Sequence, residues 1–101
     1  MNQYEIEGRV KMIAEVQTLK NGFNKREFVI ETVEKYPQAI KFECVKDRCA
    51  LLDGIAEGDD VRVQFRIRGS AYNDRYFVNL QAFGVERQGA ANMPEEDQIQ
   101  F

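Results

Sequence analysis

The stretch Val61-Arg-Val-Gln-Phe-Arg-Ile-Arg68 alternates between apolar and polar side chains without interruption. Successive side chains of a β-strand point to opposite faces of its sheet, so this stretch has one apolar face and one polar face. The pattern predicts a strand that packs its valines, phenylalanine and isoleucine into a core. Three arginines then lie on the solvent side, and this basic face is the starting point for a functional interpretation.

Another predicted strand follows directly. Residues 69–74 are rich in turn-forming residue types and predict a hairpin loop. Residues 75–86 then alternate again. The side chains on the predicted inward face are Tyr76, Val78, Leu80 and Ala82. The same alternation turns Phe77 and Phe83 outward, where they either stack on a ligand or are covered at a subunit interface.

Three predicted strands precede this pair. They cover residues 4–16, 25–33 and 38–45. Gly8 in the first of them predicts a bulge or a sharp bend, and Met12 is expected on its apolar side. The pair Asn21-Gly22 accepts positive φ and predicts the turn before the second strand.

A short helix is expected between the third and fourth strands. Asp47 can cap its N-terminus, and Leu51 and Leu52 would close the bottom of a barrel. Three strands, one helix and two strands is the order of the OB-fold, an all-β, five-stranded barrel. Another small barrel or a split β-sandwich stays open on this order. We assign residues 1–87 to the OB-fold domain and residues 88–101, where the periodicity stops, to a flexible tail.

The composition argues against an enzyme. The 101 residues include no histidine and two cysteines, which removes Ser-His and Cys-His pairs and most zinc sites. Cys44 and Cys49 are expected to be buried and reduced. We predict no catalytic residue, cofactor or metal. The sequence shows neither a signal peptide nor a membrane span, so a cytoplasmic protein is expected.

The net charge of −3 originates near the end of the sequence. Residues 89–101 contain three acids, Glu95, Glu96 and Asp97, and no base. Residues 1–88 therefore hold 14 acidic and 14 basic side chains. Because a neutral body can still carry a basic stripe, the net charge does not exclude nucleic-acid binding.

Six short stretches spread over residues 4–87 form a diffuse family pattern. They are Gly8-Arg9-Val10, Asn21-Gly22, Phe28 to Thr32, Gly58 to Val63, Gln64 to Arg68 and Arg75-Tyr76. With them the chain resembles the bacterial and phage single-stranded DNA-binding protein (SSB) family, or the short SSB-like OB-domain group close to it. The resemblance implies a homo-oligomer that coats single-stranded DNA without sequence specificity in replication, recombination and repair.

A protein that binds single-stranded DNA needs cations along the phosphates and flat groups against the bases. In an OB-fold two hairpins flank a groove over the second and third strands. The predicted DNA contacts on this groove are Lys20, Phe23, Lys25, Arg26, Lys41, Arg66, Arg68, Tyr72 and Arg75. For any one of them, simple solvent exposure is the alternative. The family carries aromatic platforms where this chain has Ala39 and Val45, which predicts weaker and more salt-sensitive binding.

The end of the sequence is similar to the acidic tip of the SSB family, which finishes in a hydrophobic residue and phenylalanine. The predicted partner-binding residues are Glu95, Glu96, Asp97, Ile99 and Phe101. The acids would steer the tail to a basic-rimmed apolar pocket on replication or repair proteins, and the ring would fill that pocket. For the tail, the alternative is an accidental ending that binds nothing. For the whole chain, the alternative is an OB domain used for protein contact, such as a replication-restart accessory factor that binds nucleic acid weakly.

Deleting Ile99 to Phe101 tests the predicted tail. DNA binding should be unchanged, because every predicted DNA contact precedes residue 76, whereas capture of replication proteins in a pull-down should be lost. A control that replaces Gln98 and Gln100 with alanine keeps the acids and the ring and should retain capture. Full capture by the truncated chain would contradict the docking hypothesis.

Overall fold

The computed structural model describes residues 2–88, which form six β-strands and one 3₁₀ helix. These elements are β1 (Tyr4–Ile13), β2 (Gln17–Thr18), β3 (Asn24–Thr32), β4 (Ala39–Val45), the helix η1 (Lys46–Leu52), β5 (Asp60–Tyr72) and β6 (Arg75–Arg87). The predicted tail beyond Gln88 lies outside the described residues, and so do the predicted partner-binding residues Glu95, Glu96, Asp97, Ile99 and Phe101.

Five of the strands close into a barrel. The hydrogen-bonded order is β1-β5-β6-β4-β3-β2, and an additional pairing of β1 with β3 joins the two ends of the sheet. The two-residue strand β2 pairs with β3 outside this closed ring. The closure, together with the single short helix between β4 and β5, confirms the predicted OB-fold over the alternative of a split sandwich.

β1 closes the barrel by pairing with two strands in turn. Residues 4–9 pair with β5, and from Gly8 onward β1 pairs with β3. Where these pairings overlap, a Cβ atom on Gly8 would lie 2.7 Å from the backbone oxygen of Glu31. Glycine is therefore needed at this position because two backbones approach closely.

The predicted irregularity of β1 lies two residues further along the strand. Its register with β3 shifts between Val10 and Met12. As a result Val10 is buried, Met12 is exposed and Ile13 packs against the core. The prediction that Met12 faces the core is wrong, because the extra residue of a β-bulge reverses the alternation beyond it.

Aromatic rings occupy the centre of the core. The ring centroids of Phe28 and Phe42 are 5.4 Å apart, and Phe65 meets Phe42 edge-on at 5.0 Å. Such pairs stabilise a fold by about 0.5–1.5 kcal/mol each beyond the burial of their area. The other buried residues of this cluster are Val10, Ile30, Cys44, Leu52, Val61, Val63 and Ala82. Every barrel strand therefore contributes to one core.

The helix η1 packs its leucines against the core, as predicted. Leu52 is buried, and Leu51 packs against the buried cluster. The predicted cap is wrong, because Val45 occupies the N-cap position without a side-chain capping hydrogen bond and Asp47 lies in the first turn. Lys46 has a φ of 56°, a strained conformation for a residue with a Cβ, and it turns the chain from β4 into η1.

The two cysteines are free and buried, as predicted. The Cys49 thiol donates a hydrogen bond to the Cys44 carbonyl oxygen at 3.5 Å. Burial, and to a lesser extent the proximity of Cys49, raises the pKa of the Cys44 thiol to about 12. Cys44 is therefore protonated at neutral pH and is a poor nucleophile and a poor metal ligand.

β5 and β6 form a longer hairpin than predicted. Their pairing continues to Tyr72 and Arg75, so the connecting turn consists of Asn73 and Asp74 alone. The φ angles of these two turn residues are 52° and 62°, as in a type I′ turn, whose twist matches that of the flanking strands. The predicted loop over residues 69–74 is therefore wrong in extent, and the paired strands continue beyond the last contact with β1.

Replacing Gly8 with alanine tests the barrel closure. The new methyl group would meet backbone, which cannot rotate away, so the free energy of unfolding should fall by about 1–3 kcal/mol in urea denaturation. Gly69→Ala is the matched control, since its Cβ would have only the Phe77 oxygen nearby, at 3.8 Å. Equal effects of the two substitutions would contradict the assigned role of Gly8.

Candidate nucleic-acid interface

The outward side of β4, β5 and β6, together with η1, forms a surface that we call the basic face. Its defining residues are Lys41, Arg48, Arg66, Arg68, Phe77, Gln81 and Phe83. Three observations place them on one surface. The guanidinium groups of Arg48 on η1 and Arg66 on β5 both contact the ring of Phe83 on β6. Glu43 of β4 is in register with Gln81, and these two residues line one shallow depression together with Arg68. Strand alternation adds Phe77, opposite Ser70, to the same side.

Arg66 and Arg68 are the centre of this face. Both are exposed, and within residues 2–88 neither forms an ion pair. The guanidinium of Arg68 donates a 3.4 Å hydrogen bond to the side-chain oxygen of Gln81, which carries no charge. Such guanidinium groups are available to bind phosphate.

Arg62 points to the same side of β5 but is in a different electrostatic environment. Its guanidinium lies 2.8 Å from a Glu7 carboxylate oxygen, 3.9 Å from Glu5 and 4.0 Å from Glu86. The hydrogen bonds that Arg62 donates to the Glu7 carboxylate and the charge of Glu5 raise the pKa of Arg62. The positive charge of Arg62 is therefore already balanced by neighbouring carboxylates.

The contrast along β5 follows from where β1 begins. Tyr4 is opposite Phe65, so the acidic residues of β1 flank only the first half of β5. Beyond Phe65 the neighbouring strand is β6, which presents the neutral amides Gln81 and Asn79 opposite Arg66 and Arg68. The arginines in the second half of β5 are therefore not held in ion pairs within residues 2–88, although Glu43 of β4 lines the same depression as Arg68.

Two predicted lysine contacts, Lys25 and Lys41, share a single carboxylate. Their ammonium groups lie 3.6 Å and 3.7 Å from the same oxygen of Glu27. Glu43 lies opposite Glu27 in the strand register, so two carboxylates accompany the two lysines on this side of the sheet. The Lys41 side chain is exposed, and ion pairs of exposed side chains contribute only about 0–1 kcal/mol, so a phosphate could compete for its ammonium group.

Arg26 lies on the core side of β3 and not on the basic face. It is opposite Cys44, its Nε donates to the Ala14 carbonyl oxygen at 2.8 Å, and its guanidinium lies 3.5 Å from Asp53. These contacts tie β3 to the residue after η1. We therefore leave Arg26 out of the interface proposed below.

The remaining predicted contacts lie at the ends of two hairpins. Lys20 is exposed in the turn before β3, and Phe23, which is 45% exposed, has the Lys46 ammonium 4.3 Å from its ring centroid. Tyr72 and Arg75 are opposite each other at the far end of β5 and β6, with Tyr72 70% exposed. Sequence and structure agree that these aromatic rings are accessible.

Arg48 is not among the DNA contacts predicted from the sequence. Its guanidinium carbon lies 5.9 Å from the ring centroid of Phe83, and that of Arg66 lies 5.3 Å from the same centroid. Nothing in the Asp47-Arg48-Cys49 segment indicates this position, because the direction of Arg48 depends on the turn at Lys46. Alternation alone predicts that Phe83 points outward but not what it contacts.

The described residues offer little for other chemistry. Within residues 2–88 no group of three or more His, Cys, Asp or Glu side chains is placed to hold a metal ion. A helix of the length and apolarity needed to cross a membrane is also not found in that part of the chain. What the surface of these residues offers instead is guanidinium groups outside ion pairs beside accessible rings.

A family model described as "Domain of unknown function (DUF3127)" matches residues 5–86. No curated protein matches the sequence. Solved structures similar to this chain include the mitochondrial single-stranded DNA-binding protein Rim1 of S. cerevisiae, with a TM-score of 0.72 and 13% identity over 84% of this chain and 92% of that chain.

Two further similar structures come from bacteria. The N-terminal domain of the PriB protein from Thermoanaerobacter tencongensis has a TM-score of 0.64 and 16% identity over 86% of this chain and 96% of that chain. A deletion variant of the single-stranded DNA-binding protein from Thermus aquaticus has a TM-score of 0.72 and 18% identity over 95% of this chain but 45% of that chain. The structural resemblance to SSB-type and SSB-like OB-folds is thereby confirmed.

Proposed function

Because the chain belongs to the family described as Domain of unknown function (DUF3127), whose description names no activity, we propose a function from the basic face: non-enzymatic, sequence-independent binding of single-stranded DNA. The observation that carries the proposal is the pair of exposed arginines, Arg66 and Arg68, for which β1 supplies no counter-charge. Similar folds occur in proteins whose names record single-stranded DNA binding, and this agrees with the proposal.

In the proposed binding mode, positively charged side chains contact the phosphates and aromatic rings stack on the bases. Arg66, Arg68 and Lys41 would track the phosphates, since cations that replace condensed counterions dominate the affinity for nucleic acids. Phe77 is 46% exposed on the same side, and Tyr72 lies at the end of the hairpin. Stacking contributes roughly 1–3 kcal/mol per base, so a surface with few rings should bind weakly and respond strongly to salt.

We extend the proposal to the role and the partners of the protein. It would coat transient single strands in replication, recombination and repair, and residues 95–101 would recruit partner enzymes; both statements rest on the sequence. The second candidate is an OB domain for protein contact, such as a replication-restart accessory factor. The balanced charge of residues 1–88 favours it, and DNA titration separates the two candidates.

Titration with oligo-dT at several salt concentrations tests the main proposal. Arg66→Glu combined with Arg68→Glu should lower the affinity by about tenfold or more and reduce the slope of log K against log salt by about 1.4, since each single-strand phosphate contact contributes about 0.7. Failure of the wild-type protein to bind at low salt would remove the proposed function.

The matched control for charge is Arg9→Glu combined with Lys11→Glu. It changes the net charge by the same amount near Asp60, six residues or about 20 Å along β5 from Arg66. Circular dichroism should show both double variants folded. If the control loses as much affinity as the basic-face variant, only the overall charge matters and the assigned interface is wrong.

The side of the β5–β6 hairpin that faces away from the basic face carries exposed apolar side chains, and for this reason the proposal includes self-association. Ile67, Tyr76 and Val78 are 38%, 83% and 68% exposed, and register places them on the side that continues the core. We call this surface the apolar arm. Apolar patches of this kind on a small domain mark association sites, and a second copy would cover it while extending the DNA-binding surface.

Val78→Lys tests the apolar arm. A lysine in an apolar contact would be buried without a partner, so the oligomer should dissociate towards monomer in sedimentation velocity. Val33→Lys is the control, since Val33 is 78% exposed between β3 and β4 and is not part of the arm. A wild-type protein that sediments as a monomer, or a Val78→Lys variant that assembles normally, would contradict the assignment.

A further inference from the structure

Two positive side chains from distant parts of the chain converge on one aromatic ring. The guanidinium carbons of Arg48 and Arg66 lie 5.9 Å and 5.3 Å from the Phe83 centroid. Each distance falls within the range of a cation–π interaction. Since both groups lie within 6 Å of the same point, they are at most about 12 Å apart. Two like charges on exposed side chains therefore lie within 6 Å of the centre of one ring.

These two charges are not held in ion pairs, although Glu43 of β4 lies in register with Gln81, which is opposite Arg66. Within the described range, neither Arg48 nor Arg66 forms an ion pair. Glu5 lines the shallow depression beside Phe83, but its carboxylate is engaged by Arg62 at 3.9 Å and by the Gln64 amide at 3.3 Å. Like charges brought together without a counter-ion repel each other, so an anion placed between them would be stabilised by both.

The convergence is produced by irregular features of the backbone. Lys46, with its φ of 56°, turns the chain so that η1 presents Arg48 towards β6. The register of β5 and β6 shifts at Gln64 and Phe65, so that Gly84 is opposite Gln64 and Ala82 opposite Phe65. Phe83 is the extra residue of this bulge. Bulges re-aim side chains in this way next to functional sites.

We propose that Arg48 and Arg66 form a phosphate-binding pair and that Phe83 is the residue that positions them. The inference rests on the proposed function and adds to it a defined subsite, in which one phosphodiester group of the bound strand lies between the two guanidinium groups. Guanidinium groups match the geometry of phosphate oxygens through paired hydrogen bonds. The ring holds both side chains near the bound geometry, which lowers the entropy lost on binding.

Removing one guanidinium group tests the pair. Arg48→Gln should weaken oligo-dT binding severalfold and reduce the slope of log K against log salt by about 0.7, the share of one single-strand phosphate contact. Lys11→Gln, which removes one charge from an ion pair with Glu31 on β1, should change neither quantity appreciably. Binding by Arg48→Gln with the affinity and slope of wild type would overturn the proposal while leaving DNA binding established.

Changing the ring tests its positioning role. Phe83→Leu keeps both charges and an apolar side chain but removes the aromatic face, so affinity should fall although net charge is unchanged. Phe83→Trp retains an aromatic face and should restore binding. If leucine serves as well as phenylalanine, the ring does not position the arginines and the proposal fails in that part.

Side-chain NMR separates failure of this subsite from failure of the proposed function. With ¹⁵N-labelled protein, titration with inorganic pyrophosphate should shift the Nε–H signals of Arg48 and Arg66 together and saturably, whereas Arg62, held by carboxylates, should move little. This result would support the anion site even if oligo-dT did not bind. Uniform, unsaturable shifts of all arginines would overturn it.

Discussion

The close approach of β1 to β3 at Gly8 is the constraint on which the whole barrel depends. A single strand has to complete the sheet on both sides, and it can do so only where no side chain separates its backbone from Glu31. Once this contact is made, the sheet has no free ends other than β2, and one core collects side chains from every barrel strand. The position of β1 also decides which part of β5 remains uncovered.

The electrostatic pattern is a consequence of that geometry. The same face of β5 carries Arg62, surrounded by carboxylates, and Arg66 and Arg68, which lie beyond the reach of β1. Net charge is therefore a poor guide to function in this chain. Residues 1–88 contain fourteen acidic and fourteen basic side chains. Three of the acids, Glu5, Glu7 and Glu86, lie beside Arg62 in the first half of β5, whereas Arg66 and Arg68 form no ion pair in the part of the chain that the structure describes. A nucleic-acid surface needs a local excess of positive charge, not a basic protein.

Sequence periodicity was sufficient to predict the strands of the barrel and the outward direction of Arg66 and Arg68, since both follow from strict alternation. Alternation gave the wrong side-chain direction, or none, where a single residue shifts the strand register or changes the direction of the backbone. The bulge after Val10 turned Met12 outward, and the positive φ of Lys46 set the direction of Arg48. Arg26 was predicted as a DNA contact although it lies on the inward side of β3. There its guanidinium donates a hydrogen bond to the Ala14 carbonyl oxygen and pairs with Asp53. Such local departures depend on tertiary contacts that alternation does not encode.

The hairpin of β5 and β6 has a mechanical consequence. Near Val61 its strands are anchored by the core, whereas around Val78 they lack a second layer within one copy of the chain and are held mainly by the hydrogen bonds between β5 and β6. Opening free energies should therefore decline along one continuous pair of strands, and amide protons near the turn should exchange with solvent sooner than those inside the barrel. Such a gradient would let the outer hairpin bend towards an irregular single strand while the barrel keeps its shape.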